Sequence, residues 1–193
     1  MARVYFTSDT HFGHSNIVTF CKRPFVDKFR TIETRDGGFA YRPDLDLMHR
    51  EMTARWNSVV GPRDIVYHLG DFALTKRPDV PAFVKRLNGY KILIRGNHDR
   101  NAKIMLEAGF DRVLEVLRTN IDGVELFMQH KPEVKEKWNG ASIHLCGHVH
   151  EKWRRKGNTI NVGVDVWDFV PRTLQELMAA PSEGDFLTPE EMS

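Results

Sequence analysis

The chain is poor in cysteine. Cys21 and Cys146 are all it has in 193 residues, and no CxxC spacing joins them. That excludes a disulfide-stapled scaffold and leaves both thiols to be read as free and buried. Long apolar runs are missing too. No stretch approaches the ~18–20 residues of a membrane span, and MARVYFTSDTHFGH lacks the apolar core and small-residue cleavage site of a secretory leader. A cytoplasmic location without a membrane partner is therefore expected. Nor is one sign of charge in excess: 28 Lys and Arg face 26 Asp and Glu, a formal net charge of +2. Bulk electrostatics thus do not indicate nucleic acid as a partner. Repeats, linkers and low-complexity tracts are absent. The chain reads as a single domain over 1–180, followed by an acidic, Pro-containing tail, 181–193, expected to fray.

What is present is ordinary globular material, 41% hydrophobic and 28% charged, and long enough to bury a substantial core. Residues Arg3 to Ser8, Asp64 to Leu69 and Tyr90 to Ile94 are short, apolar and β-rich, so each predicts a buried strand. Asn16 to Phe20 predicts a short helical turn. Pro43 to Val60 predicts an amphipathic helix with Leu45, Met48, Met52, Trp56 and Val59 on one face. Val80 to Leu87 and Ala102 to Ala108 predict two further helices. The second half turns to strands: Arg112 to Arg118, Val124 to Gln129, Ser142 to Cys146 and Thr159 to Val164. Alternating β and α followed by a β-rich half predicts a layered α/β domain with a mixed sheet or two stacked sheets. Between Lys22 and Arg42 there is no clear periodicity, only Pro24, Gly37-Gly38 and many charges. Irregular insertions of that length often serve as lids.

Polar clusters follow the strands. They are Asp9-Thr10-His11, Gly70-Asp71, Gly96-Asn97-His98-Asp99, His130-Lys131-Pro132 and Gly147-His148-Val149-His150. Ligands collect at the carboxyl ends of strands in layered α/β folds, so distant clusters can converge there. Residues i and i+2 of an extended segment share a face, which would aim Asp9 with His11, and His148 with His150, into one pocket. Any one cluster by itself reads equally well as surface or capping residues; five in order do not. Asp, Asn and His without thiolate favour borderline or harder metals such as Mn, Fe, Zn, Ni or Co.

The ordered set D-x-H, G-D, G-N-H-D, H-x-P and G-H-x-H resembles the calcineurin-like metallophosphoesterases. The resemblance spans about residues 2 to 165. SDTHFGHSNI, YHLGDF, LNGYKILIRGNHD and NVGVDVWDFVP are similar to a small bacterial and phage branch of that family. It implies an α/β fold, a four-layer αββα sandwich of two mixed β-sheets flanked by helices. It also implies two divalent transition metal ions, Mn foremost in vitro. Asp9, His11 and His150 would hold the first, and Asn97, His130 and His148 the second, with Asp71 bridging. Such ions can share a hydroxide and clamp a phosphate for in-line attack on a phosphodiester or phosphomonoester. His98 would then protonate the leaving oxygen or stabilise its charge.

Other residues carry two readings each. His14 is a substrate-phosphate contact or a surface or supporting histidine. Asp99 orients His98 or caps the helix beginning near Arg100. Arg23, Arg30, Arg35 and Arg42 offer bidentate phosphate contacts, Arg23 first by its nearness to the motif, with Phe25 anchoring the insertion. His68 and His144 read as core residues and His49 as solvated. Lys152 to Lys156 reads as a solvated hairpin before a phosphate-tracking patch. The expected substrate is a small, nucleotide-like phosphate ester. A nuclease and a non-catalytic metal- or partner-binding scaffold are the alternatives; the full ligand set speaks against the scaffold.

Overall fold

The structure, a computed structural model, describes residues 2–34, 37–76, 79–184 and 188–192. Strand β1 (Val4–Thr7) leads into helix α1 (Ser15–Phe20), then β2 (Val26–Glu33) and β3 (Phe39–Pro43). Helix α2 (Leu45–Val59), β4 (Ile65–His68), α3 (Val80–Arg86), β5 (Tyr90–Ile94), α4 (Ala102–Glu107) and β6 (Arg112–Leu114) complete the first half. The second half holds β7 (Val116–Ile121), β8 (Val124–Gln129), β9 (Ile143–Cys146), β10 (Arg155–Lys156), β11 (Thr159–Asn161), β12 (Arg172–Thr173) and α5 (Leu174–Ala179). One sheet runs β12-β1-β4-β5-β6 and the other β10-β11-β9-β8-β7. Both are mixed: β1, β4, β5 and β6 are parallel with β12 antiparallel, and β11, β9 and β8 are parallel between antiparallel β10 and β7. Two mixed sheets flanked by helices are the αββα class that the motifs imply.

Period-two alternation builds the layers. Tyr5, Val66 and Leu93 face Met48, Met52 and Trp56 of α2, Val80 and Val84 of α3, and Met105 of α4. Their neighbours Phe6, Tyr67 and Ile94 point the other way, against Leu126, Met128, Leu145 and Ile160 of the second sheet. Each fully buried large apolar side chain contributes roughly 1.5–3 kcal/mol, so these two layers supply most of the driving force for folding. Helix α2 begins where the Asp44 carboxylate accepts from Leu47 N–H at 2.9 Å. On the far face of the second sheet, Phe127 and His144 pack together and Trp138 covers His144.

Several local expectations change. The expected irregular segment holds regular strands among its described residues: β2 and β3 form an antiparallel hairpin with a register shift between Asp27 and Thr31. Phe29, Phe39 and Tyr41 are exposed there, so burial imposes no alternation for the sequence to record. The run Arg112 to Arg118 is two strands, since Leu114 pairs with Ile94 in one sheet and Val116 with Gln129 in the other. Thr159 to Val164 stops as a strand at Asn161. The tail does not fray at its start, where Gly157 N–H donates to Gly184 O at 2.7 Å and Glu183 N–H to Arg155 O at 2.8 Å. The 152–156 segment is not simply solvated: Arg155 donates to the Met178 and Ala180 carbonyls, and Trp153 is buried.

Candidate metal centre

All five polar clusters lie just past the carboxyl ends of parallel strands: β1, β4 and β5 of one sheet, β8 and β9 of the other. The sheets are stitched together there. Asp9 N–H donates to Gly70 O at 2.9 Å and His11 N–H to Asp71 O at 3.0 Å. Gly147 N–H donates to His130 O at 2.8 Å, and His148 N–H reaches the Asp9 carboxylate across the sheet interface at 3.0 Å. Gly147 must be glycine, because a Cβ would collide with Asp9 Oδ2 and Ser8 Oγ.

The i, i+2 pairs converge, but not through a pleat. Asp9, His11, Asp71, His148 and His150 all have left-handed backbones, with φ of 57°, 50°, 55°, 72° and 49°. Non-glycine residues pay of order 1–3 kcal/mol each for such conformations, which persist where surrounding structure dictates them and cluster at functional sites. Tight left-handed turns, rather than strand continuation, aim these side chains inward.

Two triads result. Asp9, His11 and His150 bring their ligand atoms within 4.8 Å of one another, and so do Asp71, His130 and His148. Asn97 joins the second, its Oδ1 3.1 Å from His130 Nε2. Asp71 stands between them: Oδ2 lies 3.6 Å from His11 Nε2 and 3.3 Å from His130 Nε2. Leu69 O lies 2.7 Å from His130 Nδ1, so accepting that N–H leaves Nε2 available to a metal ion. His11 Nε2 is buried and has no hydrogen-bond partner. A buried orphan nitrogen beside a carboxylate fits a cation.

The electrostatics agree. Burial pushes His11 down to about 2 and His148 down to about 4, keeping both neutral, as metal ligands must be. Burial also lifts the Asp9 carboxyl above its usual range. At Asp71 burial opposes ionisation, yet the hydrogen bond and charge of His130 outweigh it and hold the carboxyl low. At His130 burial works against charge, but Asp71 and Asp9 prevail and raise it to about 9. The two carboxylates therefore draw positive charge into a buried place.

The remaining candidates sort by position. His98 is on the rim with its side chain 44% exposed, Nε2 4.0 Å from Asp71 Oδ2. His14 Nδ1 lies 3.4 Å from His11 Nδ1, and its ring meets that of Phe20. Arg23 requires correction as a substrate contact. It is buried, and its guanidinium donates to both oxygens of Asp165, to the carbonyls of Asp9 and Thr10, and towards Met48 Sδ. No donor is left for a phosphate. Arg30 and Arg42 are exposed on the hairpin, and Arg35 lies outside the described residues.

Asp99 takes neither expected role. Its carboxylate accepts from Asp71, Phe72 and Gly96 N–H at 2.8, 2.9 and 2.8 Å, clipping two ligand-bearing loops together, while Asn101 caps α4. His68 and His144 are buried as expected, but His49 is not merely solvated: Gly13 N–H donates to its Nε2 at 2.9 Å. Sequence reasoning missed Ser8, whose hydroxyl donates to Asp9 Oδ2 at 2.6 Å, and Asp165, 3.2 Å from His150 Nδ1. The signal for Asp165 was present in NVGVDVWDFVP. Cys21, His150 and Asp165 also lie close together, yet Arg23 and His150 occupy the Asp165 oxygens and burial pushes the Cys21 thiol up, so it stays protonated.

Two triads of nitrogen and oxygen donors, with one carboxylate between them at the strand ends of a double-sheet sandwich, could each hold a metal ion. Comparison with known proteins gives the family. The calcineurin-like phosphoesterase superfamily domain matches residues 46–167, and the chain belongs to that superfamily. It is 30% identical over 193 residues to the "Uncharacterized protein MJ1445" of Methanocaldococcus jannaschii, covering 95% of this chain and 94% of that one. It is 31% identical over 218 residues to the Gene 66 protein of Mycobacterium phage D29, covering 95% and 100%. Among solved structures it resembles the protein of unknown function AQ665 from Aquifex aeolicus, with a TM-score of 0.66, 25% identity, and 92% and 98% coverage. Among the described residues no helix is long and apolar enough to cross a membrane.

Proposed function

We propose that this protein hydrolyses small, nucleotide-like phosphate esters with two divalent metal ions, Mn²⁺ serving in vitro. The observation that carries the reading is Asp71 Oδ2, 3.6 Å from His11 Nε2 and 3.3 Å from His130 Nε2, one carboxylate serving both triads. Asp9, His11 and His150 would hold one ion; Asn97, His130 and His148 the other. When bound, the pair supplies Lewis-acid charge to the phosphate oxygens and activates water for in-line attack. The chain's own residues do the rest. The Leu69 carbonyl and Asp165 fix the orientations of His130 and His150. His98, exposed on the rim with its backbone N–H donating to Asp71 Oδ1 at 2.9 Å, would hand a proton to the departing oxygen.

His14 stands next to His11 and is the proposed phosphate contact at the entrance. The hairpin of β2 and β3 borders α1, the helix that follows His14 directly, which supports reading it as a wall limiting substrate size. With a cytoplasmic setting this is a soluble phosphodiesterase or phosphatase. The test is turnover of an aryl phosphodiester, an aryl phosphomonoester, cyclic nucleotides and short oligonucleotides, before and after adding Mn²⁺ to chelator-treated protein. Metal-restored hydrolysis of the small esters above the oligonucleotides supports the reading. A preference for oligonucleotides transfers it to a nuclease, and two bound ions without turnover transfer it to a scaffold.

A further inference from the structure

We infer that Arg23 and Asp165 form a positioning pair that holds all three ligands of the first triad and none of the second. The inference rests on the two-metal reading above. Arg23 stands in the loop between α1 and β2, and its side chain and that of Asp165 are 0% and 2% exposed. The guanidinium meets the carboxylate side-on, Nε to Oδ1 at 2.7 Å and Nη2 to Oδ2 at 2.9 Å. Fork-to-fork pairing of that kind fixes direction as well as charge.

What the fork holds is informative. From its other side Arg23 donates to Asp9 O at 2.7 Å and to Thr10 O at 3.0 Å. Those carbonyls belong to the turn in which Asp9 and His11 both adopt left-handed backbones. The guanidinium thus fastens the turn from behind, where a β-rich strand would otherwise run on. Asp165 carries the effect to the third ligand: its Oδ2 accepts from His150 Nδ1 at 3.2 Å. With that N–H engaged, Nε2 is the nitrogen left for a metal ion. A carboxylate behind a metal-binding histidine orients the ring and raises its basicity.

The pair is itself braced. Phe169 packs edge-on against Phe25 at 4.7 Å between ring centres and lies 5.7 Å under the Arg23 guanidinium. Asp168 and Phe169 both have left-handed backbones, φ 54° and 60°. The segments KRPF (22–25) and NVGVDVWDFVP (161–171) therefore lock onto each other at the back of one triad. The second triad uses other supports: the Leu69 carbonyl for His130 and the Asp99 clip for the Asp71 loop.

Selective metal affinity tests this, with Mn²⁺ alone as probe and calorimetry on metal-free protein as readout. His148→Ala keeps the first triad, and His11→Ala keeps the second. Adding Asp165→Asn to His148→Ala should weaken the remaining ion by roughly 10–100-fold. Adding it to His11→Ala should change affinity by less than about 2-fold. Arg23→Lys, which keeps the charge but loses the fork, should follow the same pattern; if it fails to fold, Asp165→Asn alone decides. Equal weakening in both backgrounds, or none in either, overturns the positioning role. Failure of the otherwise unaltered protein to bind two ions overturns the two-metal reading instead.

Discussion

The two triads are built to different degrees of closure. Asp9 and His11 are essentially inaccessible, on a strained turn fastened by a buried ion pair. Asp71 and His130 are as deep, but their partner Asn97 and the neighbouring His98 are exposed. Rigidity is thus concentrated where one ion would be held, and access where substrate would enter. Asp71 belongs to both regions, which makes it the place to break them together. Asp71→Asn should abolish turnover of every substrate and cut bound metal from about two ions to one or none. Normal turnover with two full sites would sink the bridging role.

The rim can be separated from the interior at His98. His98→Ala should keep both ions and lower kcat by ~10²–10⁴-fold for poor leaving groups, with a smaller deficit for nitrophenolate, which leaves without a proton. An equal loss for both kinds of leaving group would make His98 a phosphate-binding residue. Damage greatest at the closed triad should follow from Gly147→Ala, whose Cβ meets Asp9 Oδ2 and Ser8 Oγ. A stability loss of ~1–3 kcal/mol is expected from overpacking, with binding of the first ion weakened more than that of the second. Unfolding curves and metal titration together check it; an unchanged first site would show that the turn can yield.

A smaller effect lies away from the metals. His144 is buried behind the second sheet, and burial lowers it to about 4. The folded state therefore binds this proton less readily than the unfolded chain, whose His titrates near ~6.5. Its stabilising contribution is complete above that pH and is lost as pH falls towards 4, about 3 kcal/mol in all. Denaturant titrations of the parent and His144→Asn at pH 7 and 4.5 should show a shallower pH dependence in the variant. Parallel curves would contradict it.

These regions also differ in how much the sequence discloses. The strands delivering the clusters are legible because β1, β4 and β5 must bury one face or both, and burial writes period two into the residues. The clusters themselves are legible because Asp, Asn and His at the ends of apolar strands have no packing reason to be there. What stayed hidden depends on partners. Nothing local distinguishes Arg23 facing Asp165, 142 residues away, from Arg23 facing a phosphate. Asp99 looks like a cap because its three backbone donors lie partly on another loop. Leu114 and Val116 read as one strand because alternation does not say which sheet a residue joins. Most of the β2–β3 hairpin is exposed, so its strands carry little pattern.

The central claim is that one carboxylate joins two metal sites. It is tested most directly by a crystal structure of the Mn²⁺-soaked protein with anomalous scattering recorded at the manganese edge. Two peaks are expected, ~3.5–4 Å apart, one ringed by Asp9, His11 and His150, the other by Asn97, His130 and His148, with Asp71 between them. A single peak, or two peaks that do not share Asp71, would contradict it.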